Sequence, residues 1–242
     1  MARKLCTLFP AYFPSLSWWQ KKVASDCVVL LDSPSYSHRS HINRTNVKTV
    51  DGKKLLTVPV LRSESQSSPI GDILIDPNSN WYRTHRASLI SNYRNAPYFD
   101  FYFPYLEEHY SNSWQRLIDL NLAGIKLIDN LLRWKTDTVF SSTLSTSGTR
   151  EGRVMQLLNQ FDCDTYVIES QAKPYFDGSI LELHGYKIEE IPALETPYEQ
   201  QFSGFIANLS ILDLILNEGP YSVKLLKSIE QTNSKKQIPN IK

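Results

Sequence analysis

Apolar residues fall in short runs divided by polar and proline-bearing segments, and the spacing inside each run selects its element. Leu5 to Phe9 reads as a short strand, Pro10 and Pro14 stiffen a turn, an amphipathic helix follows, and Cys27 to Leu31 is a second strand ending in Asp32. A polar loop with Ser37, His38, Arg39, His41, Asn43 and Arg44 comes next. Asn46 to Val50 and Lys53 to Val60 are β-rich and joined by Asp51-Gly52, a dipeptide that suits the positive φ of a tight hairpin. Serine-rich Arg62 to Pro69 reads as a loop, and Ile70 to Ile75 alternates as a strand does.

Asp76-Pro77-Asn78-Ser79 supplies capping oxygens before a helix over Trp81 to Arg94, whose Trp81, His85, Ser88 and Leu89 share one face. Pro97 and Pro104 interrupt the next, aromatic stretch, and Ser113 is placed to cap a long helix reaching Arg133. Later come a strand around Val139, a helix from about Arg150 to Gln160, strands at Tyr166 to Ile168 and Lys187 to Ile191, and a helical run from Leu209 to Leu216. This alternation predicts an α/β fold: a mixed or mostly parallel sheet flanked by helices, with a β-hairpin insertion near residues 46–60. Residues 1–230 are expected to form one domain, and 231–242 have the composition of a frayed tail.

Composition narrows the partners. The 242-residue chain is 41% hydrophobic and carries a formal net charge of +1, which supports a sizeable core and argues against strong steering toward nucleic acid or an anionic membrane. Cys6, Cys27 and Cys163 sit singly beside apolar runs and read as reduced core residues. No run approaches the roughly 20 apolar residues of a membrane span, and Pro10 cuts the first one too short for a signal peptide. A small-molecule substrate and a cytoplasmic location are expected.

In an open α/β sheet, ligands bind beyond the carboxyl ends of the strands, which makes Asp32 and the following loop the first candidate. Arg44 offers a planar fork for phosphate, though Asp32 and Arg44 could equally pair with each other or brace the loop. His85, on a helix face, and His38 and His41, in the loop, are candidates for a base of near-neutral pKa; surface placement is the alternative for the loop pair. The spacing of His38, His41 and Asp32 lacks a metal signature, so no metal is expected. The turn Pro10 to Ser17 has no glycine or lysine and thus no phosphate motif, although backbone N–H groups near Ser15 and Ser17 remain available to an anion. Lys173, after the Tyr166 strand, and Arg150, opening its helix, stand at further strand-end positions.

Several segments in order resemble the WbqC-like proteins of bacterial surface-polysaccharide (O-antigen) gene clusters. The family's Gln-Pro-x-Tyr-x-Pro opening is matched by Phe9-Pro10-Ala11-Tyr12-Phe13-Pro14, with Phe9 in place of the glutamine. Its strand-end aspartate is matched by Asp32, and its Trp-x-Asn-Arg-Asn pattern by His41-Ile42-Asn43-Arg44-Thr45, which keeps Asn43 and Arg44. Thr57-Val58-Pro59-Val60, Trp81 with His85, Tyr93, and Asn208 to Asp213 are similar to later family positions.

The resemblance implies an acyl or aminoacyl, for example glycyl, transferase acting on a nucleotide-linked amino sugar. Asp32 and His85 would carry the chemistry; Arg44, Asn43, Tyr12, His41, Lys173 and Arg150 would bind substrate. It implies an activated acyl or aminoacyl donor and singles out no cofactor. A non-catalytic sugar-nucleotide or enzyme-binding module is the alternative, while an ATP-dependent ligase would need the phosphate motif that the chain lacks.

Overall fold

The computed structural model describes residues 2–37, 40–61, 68–170, 172, 176–192 and 197–228. Its centre is a five-stranded sheet of β1 (Lys4–Leu8), β2 (Cys27–Leu30), β5 (Asp137–Phe140), β6 (Thr165–Glu169) and β7 (Lys187–Ile191), in the order β5-β2-β1-β6-β7. Every pairing in it is parallel. The chain starts at the middle, builds outward through β2 and β5, then returns to the other side of β1. The topological switch point therefore lies between β1 and β6.

Those two strands pair only at Lys4 with Thr165 and Leu5 with Tyr166. Beyond that point β1 stays with β2 as far as Leu8 opposite Leu30, and β6 stays with β7 as far as Glu169 opposite Ile191. The sheet is thus parted at its carboxyl edge.

Successive strand residues face opposite sides, so β1 divides its side chains between two cores. Cys6 and Leu8 join Val28, Leu30 and Val167 on the face covered by α1 (Leu16–Val23) and α7 (Ile211–Glu218). Leu5 joins Cys27, Val29 and Ile168 against Val154 and Leu158 of α5 (Arg150–Gln160) and Leu181 of α6 (Gly178–Leu183). All three cysteines are buried free thiols. A further helix, α8 (Ser222–Lys227), follows α7. Among the described residues no helix is long and apolar enough to cross a membrane, and no group of three or more His, Cys, Asp or Glu is placed to hold a metal ion. The expected tail at 231–242 lies outside the described residues.

Between β2 and β5 the chain inserts a hairpin, β3 (Arg44–Thr49) with β4 (Gly52–Thr57), and then α2 (Trp81–Tyr93), α3 (Phe99–Ser111) and α4 (Leu117–Leu132). Thr49 faces Gly52, so the two-residue turn is Val50-Asp51, one position earlier than the dipeptide suggested, and Gly52 follows it with φ +106°. A β-branched residue strongly resists that angle, while the space around Gly52 is open, so the cost of a side chain is conformational. Gly52→Val is expected to lose about 1–3 kcal/mol of stability, read from urea unfolding curves; an unchanged midpoint would remove the strain argument.

Three local expectations are corrected. Ile70 to Ile75 holds a 3-10 turn (Ile70–Asp72) and isolated bridges rather than a strand, because Ile70 and Ile73 are both buried at a spacing of three. Pro104 lies inside α3 instead of ending it, and the aromatic residues on either side bury Phe99, Tyr102, Phe103 and Leu106 in the core. α4 starts at Leu117, with Arg116 and not Ser113 at its N-cap, since Leu117 N–H is committed to the Ile73 carbonyl at 2.8 Å.

Candidate functional site

Asp32 leaves the end of β2 beside Ser141 and Ser142, which leave the end of the neighbouring β5. Its Oδ1 accepts from Ser141 Oγ at 2.9 Å and Ser142 N–H at 2.8 Å, and its Oδ2 from Ser142 Oγ at 2.6 Å. Partial burial pushes its pKa up, but the bonds from Ser142 and Ser141 outweigh it and hold the carboxyl below its usual value. The result is a fixed, ionised, half-buried carboxylate at the carboxyl edge of the sheet.

Arg44 opens β3 opposite Thr57. Its Nε lies 3.4 Å from Asn43 Oδ1, and its charge opposes the upward shift that burial gives the Tyr36 hydroxyl. Asn43 is buried: its amide donates to the Val58 carbonyl at 2.7 Å while Val58 N–H donates to the Asn43 carbonyl at 2.8 Å, closing the open end of the hairpin. His41 is exposed just before it. Arg150 is exposed as the first residue of α5, whose N-cap Thr149 accepts from Gly152 N–H. Lys173 and His38 lie outside the described residues.

His85 sits lower, 3% exposed, with Nδ1 3.0 Å from the Tyr12 hydroxyl. Tyr12, itself buried, also meets the Tyr110 hydroxyl at 2.7 Å. Burial lowers the His85 pKa to about 4, opposed by a hydrogen bond to the Thr57 backbone and helped by the Lys54 charge. Thr57 is the residue paired with Arg44, so the network Tyr110-Tyr12-His85 supports the strand pair that carries Arg44. Asp32 makes none of these contacts; its side-chain partners are Ser141 and Ser142.

The start of α1 is closed to an anion at Leu16 and Ser17. Leu16 N–H donates to the Leu209 carbonyl at 3.0 Å, and Ser17 N–H to Asn208 Oδ1 at 2.9 Å, so a segment almost two hundred residues away supplies the cap. Sequence reasoning missed this cap, the Ser141-Ser142 partnership with Asp32, and a buried network around Asp213. The signals were a serine pair at a strand end and one carboxylate within the apolar run Leu209 to Leu216.

The model of the WbqC-like protein family matches residues 10–225. An uncharacterized protein of Mycobacterium tuberculosis is 26% identical over 244 residues, covering 95% of this chain and 100% of that relative. No solved structure matches.

Proposed function

As the chain belongs to the WbqC-like protein family, we propose that it transfers an acyl or aminoacyl group to the amine of a nucleotide-linked amino sugar. The observation that carries this reading is the ionised Asp32, held by the Ser141 and Ser142 donors at the carboxyl edge of a parallel sheet. A fixed carboxylate there can accept hydrogen bonds from the hydroxyls or ammonium of an amino sugar and orient the amine toward an acyl carbon. The amine nitrogen bonds to that carbon, the donor's leaving group departs with the electron pair, and the proton lost from nitrogen passes to solvent or to the leaving group. Arg44 takes a phosphate of the nucleotide, and exposed His41 and Arg150 border the substrate. Tyr12, Asn43 and His85 act beneath it; His85, neutral at pH 7, is a positioning residue working through Tyr12 and Thr57.

Consumption of labelled acyl or aminoacyl donors in the presence of UDP-linked amino sugars, with the product read as a mass increment, tests the reaction. Saturable sugar-nucleotide binding with no product would instead favour the non-catalytic binding module. The burial of His85 favours that second reading, because it withholds the chain's helix-borne base from a ligand.

Arg44→Lys keeps the charge and loses the fork, so nucleotide-sugar affinity is expected to fall by on the order of 1.5–3 kcal/mol. Calorimetric titration against the wild type reads it, with unfolding curves run in parallel. Unchanged affinity removes Arg44 from the site, and an equal loss of stability assigns it to bracing β3.

A further inference from the structure

We infer that the gap where β1 and β6 part is a second binding site, for a phosphoryl group, with the Lys21 ammonium as its cation. It stands apart from the transfer reading, since it lies between β1 and β6 whereas Asp32 and Arg44 follow β2.

The backbone locates the gap. Leu8's carbonyl accepts from Leu31 N–H on the β2 side, and strand residues alternate sides, so the carbonyl of Thr7 faces β6, while that of Phe9 follows the end of the strand. β6 has already parted from β1 there. Side chains of α1 meet the two oxygens instead: Lys21 Nζ donates to Thr7 at 3.0 Å and Trp18 Nε1 to Phe9 at 2.9 Å. Lys21 therefore reaches into the switch point of the sheet, the place where doubly wound folds receive nucleotides.

Charge then selects the ligand. Lys21 is only 9% exposed, yet it has no carboxylate within ion-pair distance among the described residues. Its buried neighbour Lys22 has Asp129 at 2.6 Å. A buried cation without a counter-ion is costly, and Lys21 uses one of its three donors on Thr7, leaving two for an anion. The usual phosphate cradle of such folds is the start of the first helix, but Leu209 and Asn208 occupy Leu16 N–H and Ser17 N–H. Lys21 is the side-chain cation left to meet a phosphate at this point. Glu169, half-buried where β6 ends, is on the α1 side of the sheet like Val167, and its charge and that of Lys21 are both felt at the Cys6 thiol, whose pKa burial raises. It limits affinity for an anion.

Thermal unfolding of the full chain with inorganic phosphate or UDP at constant ionic strength tests the site. Phosphate is expected to raise the Tm of the wild type and of Lys21→Arg, and to act at lower concentration on Glu169→Gln. Lys21→Met should need on the order of a hundredfold more phosphate, the loss of two charge-assisted hydrogen bonds. Without ligand it should melt close to the wild type, because relief of the buried charge offsets the hydrogen bond lost at the Thr7 carbonyl. A response to UDP alone that Lys21→Met weakens and Arg44→Lys keeps also supports the site and identifies the phosphoryl group as nucleotide-borne; one that Arg44→Lys abolishes and Lys21→Met keeps overturns it. No response of the wild type to either probe, an undiminished response of Lys21→Met, or a ligand-free Lys21→Met that melts well below the wild type overturns it; the last result makes Lys21 a strut. Arg44→Lys, which retains Lys21, should keep the phosphate response, so failure here is separable from failure at Arg44.

Discussion

Asp213→Ala is expected to lower the unfolding free energy by on the order of 3–5 kcal/mol, the range for breaking a buried charged network from one side. Asp213 is fully buried in α7, where Oδ1 accepts from the Tyr93 hydroxyl at 2.7 Å and Oδ2 from the Tyr198 hydroxyl at 2.5 Å. Burial pushes its pKa up; the Tyr198 and Tyr93 donors and the Lys48 charge pull the other way. The Tyr93 oxygen in turn accepts from Lys48 N–H at 2.8 Å, and Lys48 Nζ, also buried, donates to the carbonyls of Phe202, at 3.3 Å, and Gly204. One carboxylate thus ties α2, β3 and the segment preceding α7 together. Alanine strands two phenol hydroxyls by removing the carboxyl to which both donate, and the apolar neighbours cannot hydrate them. Asp213→Asn, which retains one oxygen acceptor, should lose roughly half as much. Urea unfolding of the three proteins decides it, and a loss below about 1 kcal/mol for alanine would mean that hydration replaces the network.

The same network shows why the sequence discloses the sheet more readily than the site. Strand and helix identity is local: the apolar runs at Leu5 and Cys27 and the stripe from Leu117 onward meet their expectations because burial on one face or both leaves a period in the chain. Position in the sheet is not local. That β6 returns beside β1, and parts from it after Tyr166, depends on packing across more than 150 residues and leaves no periodic trace. The site divides in the same way. Asp32 is legible as a carboxylate at a strand end, whereas Ser141 and Ser142 become its partners only once β5 lies against β2. His85 was legible as inward-facing, but periodicity cannot distinguish a cleft from a core, and its hydroxyl partner Tyr12 is 73 positions away.

Acidification should expose how His85 and His109 are held. His109 is 6% exposed, its ring edge-on to Phe13 with centroids 5.2 Å apart and its Nε2 without a hydrogen-bond partner among the described residues. Burial lowers the pKa of each histidine from 6.5 to about 4. Between those values the unfolded chain binds a proton at each site that the folded chain does not, so stability rises with pH there. The contribution is complete above pH 6.5 and is lost as the pH falls toward 4, to a depth of about 3 kcal/mol per histidine. His109→Phe keeps an aromatic ring against Phe13 and removes the proton site. Its unfolding free energy, measured by urea titration at a series of pH values, should therefore fall less steeply than that of the wild type below pH 6.5, by one proton's slope. Carboxylates such as Asp32 titrate in both proteins and cancel in the difference. Parallel pH profiles would mean that His109 takes up a proton as readily folded as unfolded, which a ring packed against Phe13 and Trp114 does not permit.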